Sequence, residues 1–240
     1  MIGAFLNALG ILAGALLGLT RRAPLAAGTQ NFFKTALAAL TALCGLHLLW
    51  LNVGGGATHV LKQLFIAFLA VILGSLLGKL AGLQKLSNRL GRHAAKLLAG
   101  AEKGTAKRPL DGFKAASILF CAAPLGLIGA VTDGLQNYFF PLALKAVMDG
   151  LATMSFVKIF RWPAALAAIP VMIFLNGISL AVHAGVLPLL TTPALLQSVN
   201  AAAGLVMCAM TLVILEMRRV ELANYLPALA VAPLLTQLLL

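Results

Sequence analysis

Residues 162–215 contain no Asp, Glu, Lys or Arg. A helix needs about 20 mostly apolar residues to cross the hydrocarbon core of a bilayer, so this stretch is too long for one crossing. A turn around Pro188 and Thr191-Thr192, within 183–193, divides it into two. Other runs of the same kind fill the chain. Residues 1–20 are uncharged and end at Arg21-Arg22. A second run follows Lys34 and reaches Trp50, an indole suited to the membrane interface. The breaker-rich Asn52-Val53-Gly54-Gly55-Gly56 precedes a third run, 63–83, interrupted only by Lys79, which can snorkel. A fourth covers 115–131, followed by Thr132-Asp133-Gly134-Leu135-Gln136-Asn137, and a fifth 139–160. The seventh ends at Glu216-Met217-Arg218-Arg219. The last, 222–240, contains Pro227 and Pro233 and reads as a kinked eighth span or a re-entrant piece.

Composition agrees. The 240 residues are 61% hydrophobic and 10% charged, with mean hydropathy +1.00, against about half and about a quarter in a soluble domain. Leu, Ala, Val and Ile dominate without period-2 alternation, which excludes a membrane β-barrel. The expected fold is an all-α integral membrane protein, a polytopic bundle of seven or eight transmembrane helices in one domain, 1–240. The first run is not a cleavable signal, because its basic flank follows the apolar segment instead of preceding it. Cys44, Cys121 and Cys208 are isolated within apolar runs and read as small core residues.

The net charge of +12 would suggest nucleic acid on a soluble protein. Here the basic residues punctuate apolar runs, so they report topology, and no nucleic-acid partner is expected. With the N-terminus outside, cytoplasmic loops hold 16 of the 18 basic residues; the exceptions are Lys62 and Lys145. The basic loop at 84–114 holds Lys85, Arg89, Arg92, Lys96, Lys103, Lys107, Arg108 and Lys114. Leu83, Leu86, Leu90, Ala94 and Leu97 recur there at steps of three and four, which predicts an amphipathic helix over 84–98 lying on anionic lipid. A topology anchor is the plainer reading; a regulatory or partner-binding role is the other.

Runs one and three resemble each other. Ala13-Gly14-Ala15-Leu16-Leu17-Gly18 matches Leu73-Gly74-Ser75-Leu76-Leu77-Gly78, and Phe5 and Leu9 recur as Phe65 and Leu69. Runs two and four both begin Phe-Lys, at Phe33-Lys34 and Phe113-Lys114, so a duplicated helical hairpin is expected. Each first member carries glycines four apart: Gly10, Gly14, Gly18 and Gly74, Gly78, Gly82. Such ridges let helix backbones approach closely, within a chain or between protomers, and a homodimer through a glycine-rich face is expected.

Six carboxylates are present, and Glu102, Asp111, Glu216 and Glu221 sit among basic loop residues as surface charges. Asp149 lies inside the fifth run with Lys145 one turn earlier, on the same helix face. A charge at membrane depth costs about 3 kcal/mol on insertion scales and usually faces a bundle interior or a cavity. The pair is therefore a candidate for transport or ion coupling, with a structural Lys–Asp pair as the alternative. Asp133-Gly134 is a second acidic candidate, at a helix end or break. Asn7, Asn137, Asn176 and Asn200 are candidates for polar cavity lining, their other role being interhelical hydrogen bonding. No catalytic or metal-binding motif occurs, so neither an enzyme nor a cofactor is expected.

Three segments carry a family resemblance: Asp111-Gly-Phe-Lys-Ala-Ala-Ser-Ile-Leu-Phe-Cys121, Gly129-Ala-Val-Thr-Asp-Gly-Leu135 and Lys145-Ala-Val-Met-Asp-Gly150. The tail Arg218-Arg219-Val-Glu-Leu-Ala-Asn-Tyr-Leu-Pro-Ala-Leu-Ala-Val-Ala-Pro233 and the opening Met1-Ile2-Gly3 with Asn7 extend it. In these the chain resembles the bacterial membrane family of domain of unknown function 554 (YdfK/YqgA-like). It departs from that family's pattern at Cys121-Ala-Ala-Pro124, which bears on the shape of the fourth span, and at Ala146, where Ser is usual. The resemblance implies a bacterial cytoplasmic (inner) membrane location and supports Asp133, Lys145 and Asp149, but it supplies no substrate. The expected function is a secondary transporter or channel-like permease for a small solute or ion. The alternative is a non-transporting scaffold or regulator acting through the basic amphipathic loop.

Overall fold

Lipid offers backbone groups no hydrogen-bond partner, so an apolar run must satisfy its own, and each one here does so by becoming helical. A computed structural model describes residues 2–21, 23, 25–102, 110–218 and 220–239. Met1, Arg22, Lys103, Lys107, Arg108 and Arg219 lie outside these, as does the side chain of Glu102. The helices are α1 (Gly3–Thr20), α2 (Ala27–Asn52), α3 (Ala57–Leu80), α4 (Leu83–Glu102), α5 (Leu110–Ala122), α6 (Pro124–Gln136), α7 (Phe140–Phe160), α8 (Ala168–Ala181), α9 (Pro193–Ile214) and α10 (Ala228–Leu239). Among the described residues all regular structure is helical. The chain is a polytopic helical membrane protein.

Seven segments are long and apolar enough to cross a membrane: α1, α2, α3, α7, Trp162–Leu189, α9 and Leu222–Leu239. An eighth forms if α5 and α6, bent by 58° at a break, act as one span. The break falls between Ala122 and Pro124. Ala123 is extended and Pro124 opens α6, a position where its missing N–H costs nothing. The turn expected over 183–193 is shorter, because π and 3₁₀ turns carry the sixth span on to Leu189 before Pro193 starts α9.

The helices cluster into two compact units interleaved along the chain. The first comprises Met1–Gln30 and Leu86–Leu180. Its seam joins α1 and α7, which run parallel. A Cβ added at Gly10 would lie 2.4 Å from the Ala146 carbonyl oxygen, at Gly14 2.1 Å from that of Gly150, and at Gly18 2.6 Å from that of Met154. The ridge is thus filled by this chain's own α7. The start of α5 (Gly112) packs on Phe160 at the end of α7, whereas the end of α6 (Asp133) bonds Gly3 at the start of α1. Because Gly3 itself packs on Leu142 near the start of α7, α5 and α6 together traverse the unit end to end. Counted as one span, the broken pair brings the candidate crossings among the described residues to eight.

The second unit comprises Asn31–Lys85 and Ala181–Leu240. Here α2 and α9 are antiparallel, touching at Gly45 and Gly204, and the ridge of α3 receives the tail, Gly74 against Ala228 and Gly78 against Asn224. Ala70, Ala202 and Ala232 extend this contact. One end of the unit is marked by the Lys34–Glu216 ion pair (2.9 Å) and the Gln84–Asn224 hydrogen bond (3.0 Å). At the other, Thr236 of α10 lines a cleft with Asn52 and Gln63. The last run therefore reaches from one end of the unit to the other, as a candidate span does. Gly82 is a correction to the ridge: it follows α3 with φ +67°, and a Cβ added there would come no closer than 4.0 Å to Lys85, so it turns the chain and meets no facing helix backbone as Gly74 and Gly78 do.

The amphipathic segment forms as α4. Its Ala94 is buried and Leu83 and Leu97 half-buried, whereas Leu86 (56%) and Leu90 (37%) leave apolar surface exposed beside the basic face.

Candidate functional site

The parallel seam of the first unit decides which polar groups meet. Gly10 and Gly14 bring α1 against the backbone of α7, and that approach sets Asn7 beside Asp149. Asp149 Oδ2 accepts hydrogen bonds from Asn7 Nδ2 (3.1 Å) and from Lys145 Nζ, to which it is also ion-paired. The three are sealed from solvent: Asn7 is 0% exposed, Lys145 1% and Asp149 6%. Burying two charges is tolerable only when they pair and find further hydrogen bonds, and Asn7 supplies one. Its own Oδ1 is buried and accepts no hydrogen bond among the described residues, a cost of about 1–3 kcal/mol unless some donor satisfies it.

The broken span reaches the same place. Phe120, in the last turn of α5, sets its ring centroid 5.6 Å from Lys145 Nζ, within cation–π range. Gly126, in the first turn of α6, leaves room for the lysine stem, because a Cβ there would lie 2.6 Å from Lys145 Cε. Thr153 Oγ1 donates to the Asp149 carbonyl (2.6 Å), one turn further along α7.

Asp133 lies at a helix end. It is buried in the last turn of α6, and its Oδ2 accepts the Gly3 N–H (3.2 Å), capping α1 across helices where the dipole favours a carboxylate. Asn137 is exposed and ends α6 in the left-handed conformation (φ 58°), its N–H bonding the Asp133 carbonyl; it lines no interior. Asn176 is half-buried on α8.

Asn200 belongs to the second unit, where its Nδ2 donates to Asn52 Oδ1 (3.1 Å). A group the sequence did not single out surrounds that bond. Gln63 Nε2 donates to Gln197 Oε1 (3.2 Å), and with Asn52, Ser198 and Thr236 these side chains line a cleft. The available signal was that uncharged amides and hydroxyls cluster at one end of four apolar helices.

The family described as Protein of unknown function (DUF554) matches residues 2–237. The chain belongs to the DUF554 family. Its relatives include the Escherichia coli (strain K12) "Uncharacterized protein YqgA", 29% identical over 235 residues, covering 97% of this chain and 94% of that protein. The Bacillus subtilis (strain 168) "Uncharacterized membrane protein YdfK" is 23% identical over 233 residues, with the same coverage. No solved structure matches the chain. The name of YdfK, a membrane protein, agrees with the apolar helices of this chain.

Proposed function

We propose that this DUF554 protein is a secondary transporter or channel-like permease for a small solute or ion. The observation that supports this is the sealed Lys145–Asp149–Asn7 cluster set against the break between α5 and α6. Discontinuous spans beside buried charges are the arrangement in which transporters hold their substrates and coupling ions. In this reading Asp149 carries the coupling proton, Lys145 gates, and the 58° break is the part that moves. The N-terminus is outside and the basic loops, α4 included, are cytoplasmic in a bacterial inner membrane, following the charge asymmetry. The two glycine-ridged helices α1 and α3 descend from a duplicated hairpin. Since both ridges are filled by the chain itself, a homodimer would use another face.

The test is flux in proteoliposomes under an imposed proton gradient, with a panel of small solutes and ions. Asp149→Asn is expected to abolish proton-coupled flux while retaining the fold; full flux in that variant would remove Asp149 from the mechanism.

The rival reading, a non-transporting scaffold or regulator, is favoured by one observation, the apolar strip of α4 exposed at Leu86 and Leu90 beside its basic face. On that reading α4 binds anionic lipid or a partner, and no solute moves in the same assay.

A further inference from the structure

The sixth span has two faces of opposite character. Ala168, Val171, Leu175 and Ser179 of α8 are buried. Leu175 packs against Gly126, and Ser179 Oγ donates to the Ala130 carbonyl (2.9 Å), so this face rests on α6. The other face carries Ile169 (55% exposed), Ile173 (63%) and Leu180 (49%). Asn176 stands in the same row, and the stripe 169, 173, 176, 180 advances by four, three and four residues.

Aliphatic side chains facing lipid need no explanation, but the amide does. Fourteen residues of the span Trp162–Leu189 precede Asn176 and thirteen follow it, which sets it at the middle of the hydrocarbon. The residue is half-buried, and its side chain makes no hydrogen bond among the described residues. Lipid tails supply neither donor nor acceptor. Headgroups begin about 15 Å away, at the edge of a core about 30 Å thick. The amide is therefore left with a protein partner that offers both an acceptor and a donor. Another amide offers both, and a two-fold axis sets a residue opposite its own copy. The stripe has the seven-residue spacing with which paired helices keep a common seam, where one Asn fixes the register and the number of strands. The glycine ridges of α1 and α3 do not compete for this role, because the chain itself fills them.

We propose that the exposed stripe of α8 is the contact surface for a second copy of this chain, with Asn176 of each copy hydrogen-bonded to the other across a two-fold axis. Copies inserted in the same direction place that axis along the membrane normal and make the two α8 helices parallel. Identical positions then meet, with Ile169 and Ile173 packing on one side of the amide pair and Leu180 on the other. Interhelical hydrogen bonds of this kind hold helices together where lipid provides no hydrophobic drive. The dimer does not depend on the Lys145 cluster, and it would stand if no solute were transported.

The experiment is energy transfer between donor- and acceptor-labelled copies of the full-length protein in phosphatidylethanolamine–phosphatidylglycerol liposomes. Dilution with further lipid gives the protein-to-lipid ratio at which half the copies are paired. Asn176→Leu should raise that midpoint at least tenfold, whereas Asn176→Gln, which keeps an amide, should stay close to the wild type. Cross-linking gives a second reading that needs neither variant. Ile173→Cys, in a chain whose Cys44, Cys121 and Cys208 are replaced by Ser, should oxidise to a dimer much faster than Leu16→Cys, which is comparably exposed on α1 (65%). Wild-type energy transfer no greater than random collision predicts would overturn the proposal, as would an unchanged midpoint in Asn176→Leu. Equal cross-linking at the two cysteines would do the same, because the copies would then meet without this surface.

Discussion

Replacing Gly14 by Ala tests the seam on which the charged cluster depends. The added Cβ would lie 2.1 Å from the Gly150 carbonyl oxygen and 2.6 Å from its carbonyl carbon and Cα. Ordinary contact begins near 3.4 Å, so α1 and α7 must part by about 1.3 Å at this point. All three opposing atoms are main chain, and no rotamer can relieve the clash. Asn7 lies two turns earlier on the same face, and its 3.1 Å bond to Asp149 would stretch beyond hydrogen-bonding range if the helices part rigidly. Overpacking costs about 1–3 kcal/mol and a lost hydrogen bond to a charged group about 1.5–3 kcal/mol; the two overlap, and about 3 kcal/mol is expected. The assay is unfolding in detergent followed by circular dichroism. Gly177→Ala is the control, because no atom lies within 4 Å of the Cβ it would gain and Ala is the better helix former. A Gly14→Ala protein as stable as the Gly177→Ala control would refute the close approach of α1 and α7.

Two further predictions concern charge. Lys145→Met leaves the Asp149 carboxylate buried without its partner and should cost about 3–5 kcal/mol, whereas Lys145→Met with Asp149→Leu should recover most of that loss; a double variant no more stable than the single one would sink the pairing account. Glu216→Gln breaks the ion pair with Lys34 where the carboxylate is 78% exposed, so a change under about 1 kcal/mol is expected, and denaturation measurements showing a larger loss would contradict it.

The spans were legible because hydropathy alone dictates helix in lipid, and the Lys145–Asp149 pair because i,i+4 spacing needs no tertiary information. The partition into two units was not. It depends on which backbone fills each glycine ridge, and Gly14 looks the same in sequence whether it meets Gly150 or a second protomer. Asn7 and Asp149 are 142 residues apart, and nothing local to either announces the other. Asp133 was visible as an acidic residue near a helix end, but the helix it caps is α1 and not its own. The amide cleft escaped notice because Asn52 and Gln63 flank the Gly54-Gly55-Gly56 turn and read as ordinary interface residues. Their meaning comes from Gln197 and Thr236, which arrive from α9 and α10.

The four-residue spacing of Lys145 and Asp149 also has a consequence for how the protein is made. Both groups belong to α7, so they can neutralise each other as soon as that helix coils, before any neighbour is needed. The segment would then be handed from the insertion machinery to the bilayer as a rod without net charge in its middle, sparing it most of the penalty of about 3 kcal/mol per isolated charge. Asn7 entered with the first span, early in synthesis, and waits for a partner that arrives already paired. Assembly would thus proceed by docking a finished ion pair onto a preplaced amide, and moving either charge to another helix would be felt first as failed insertion.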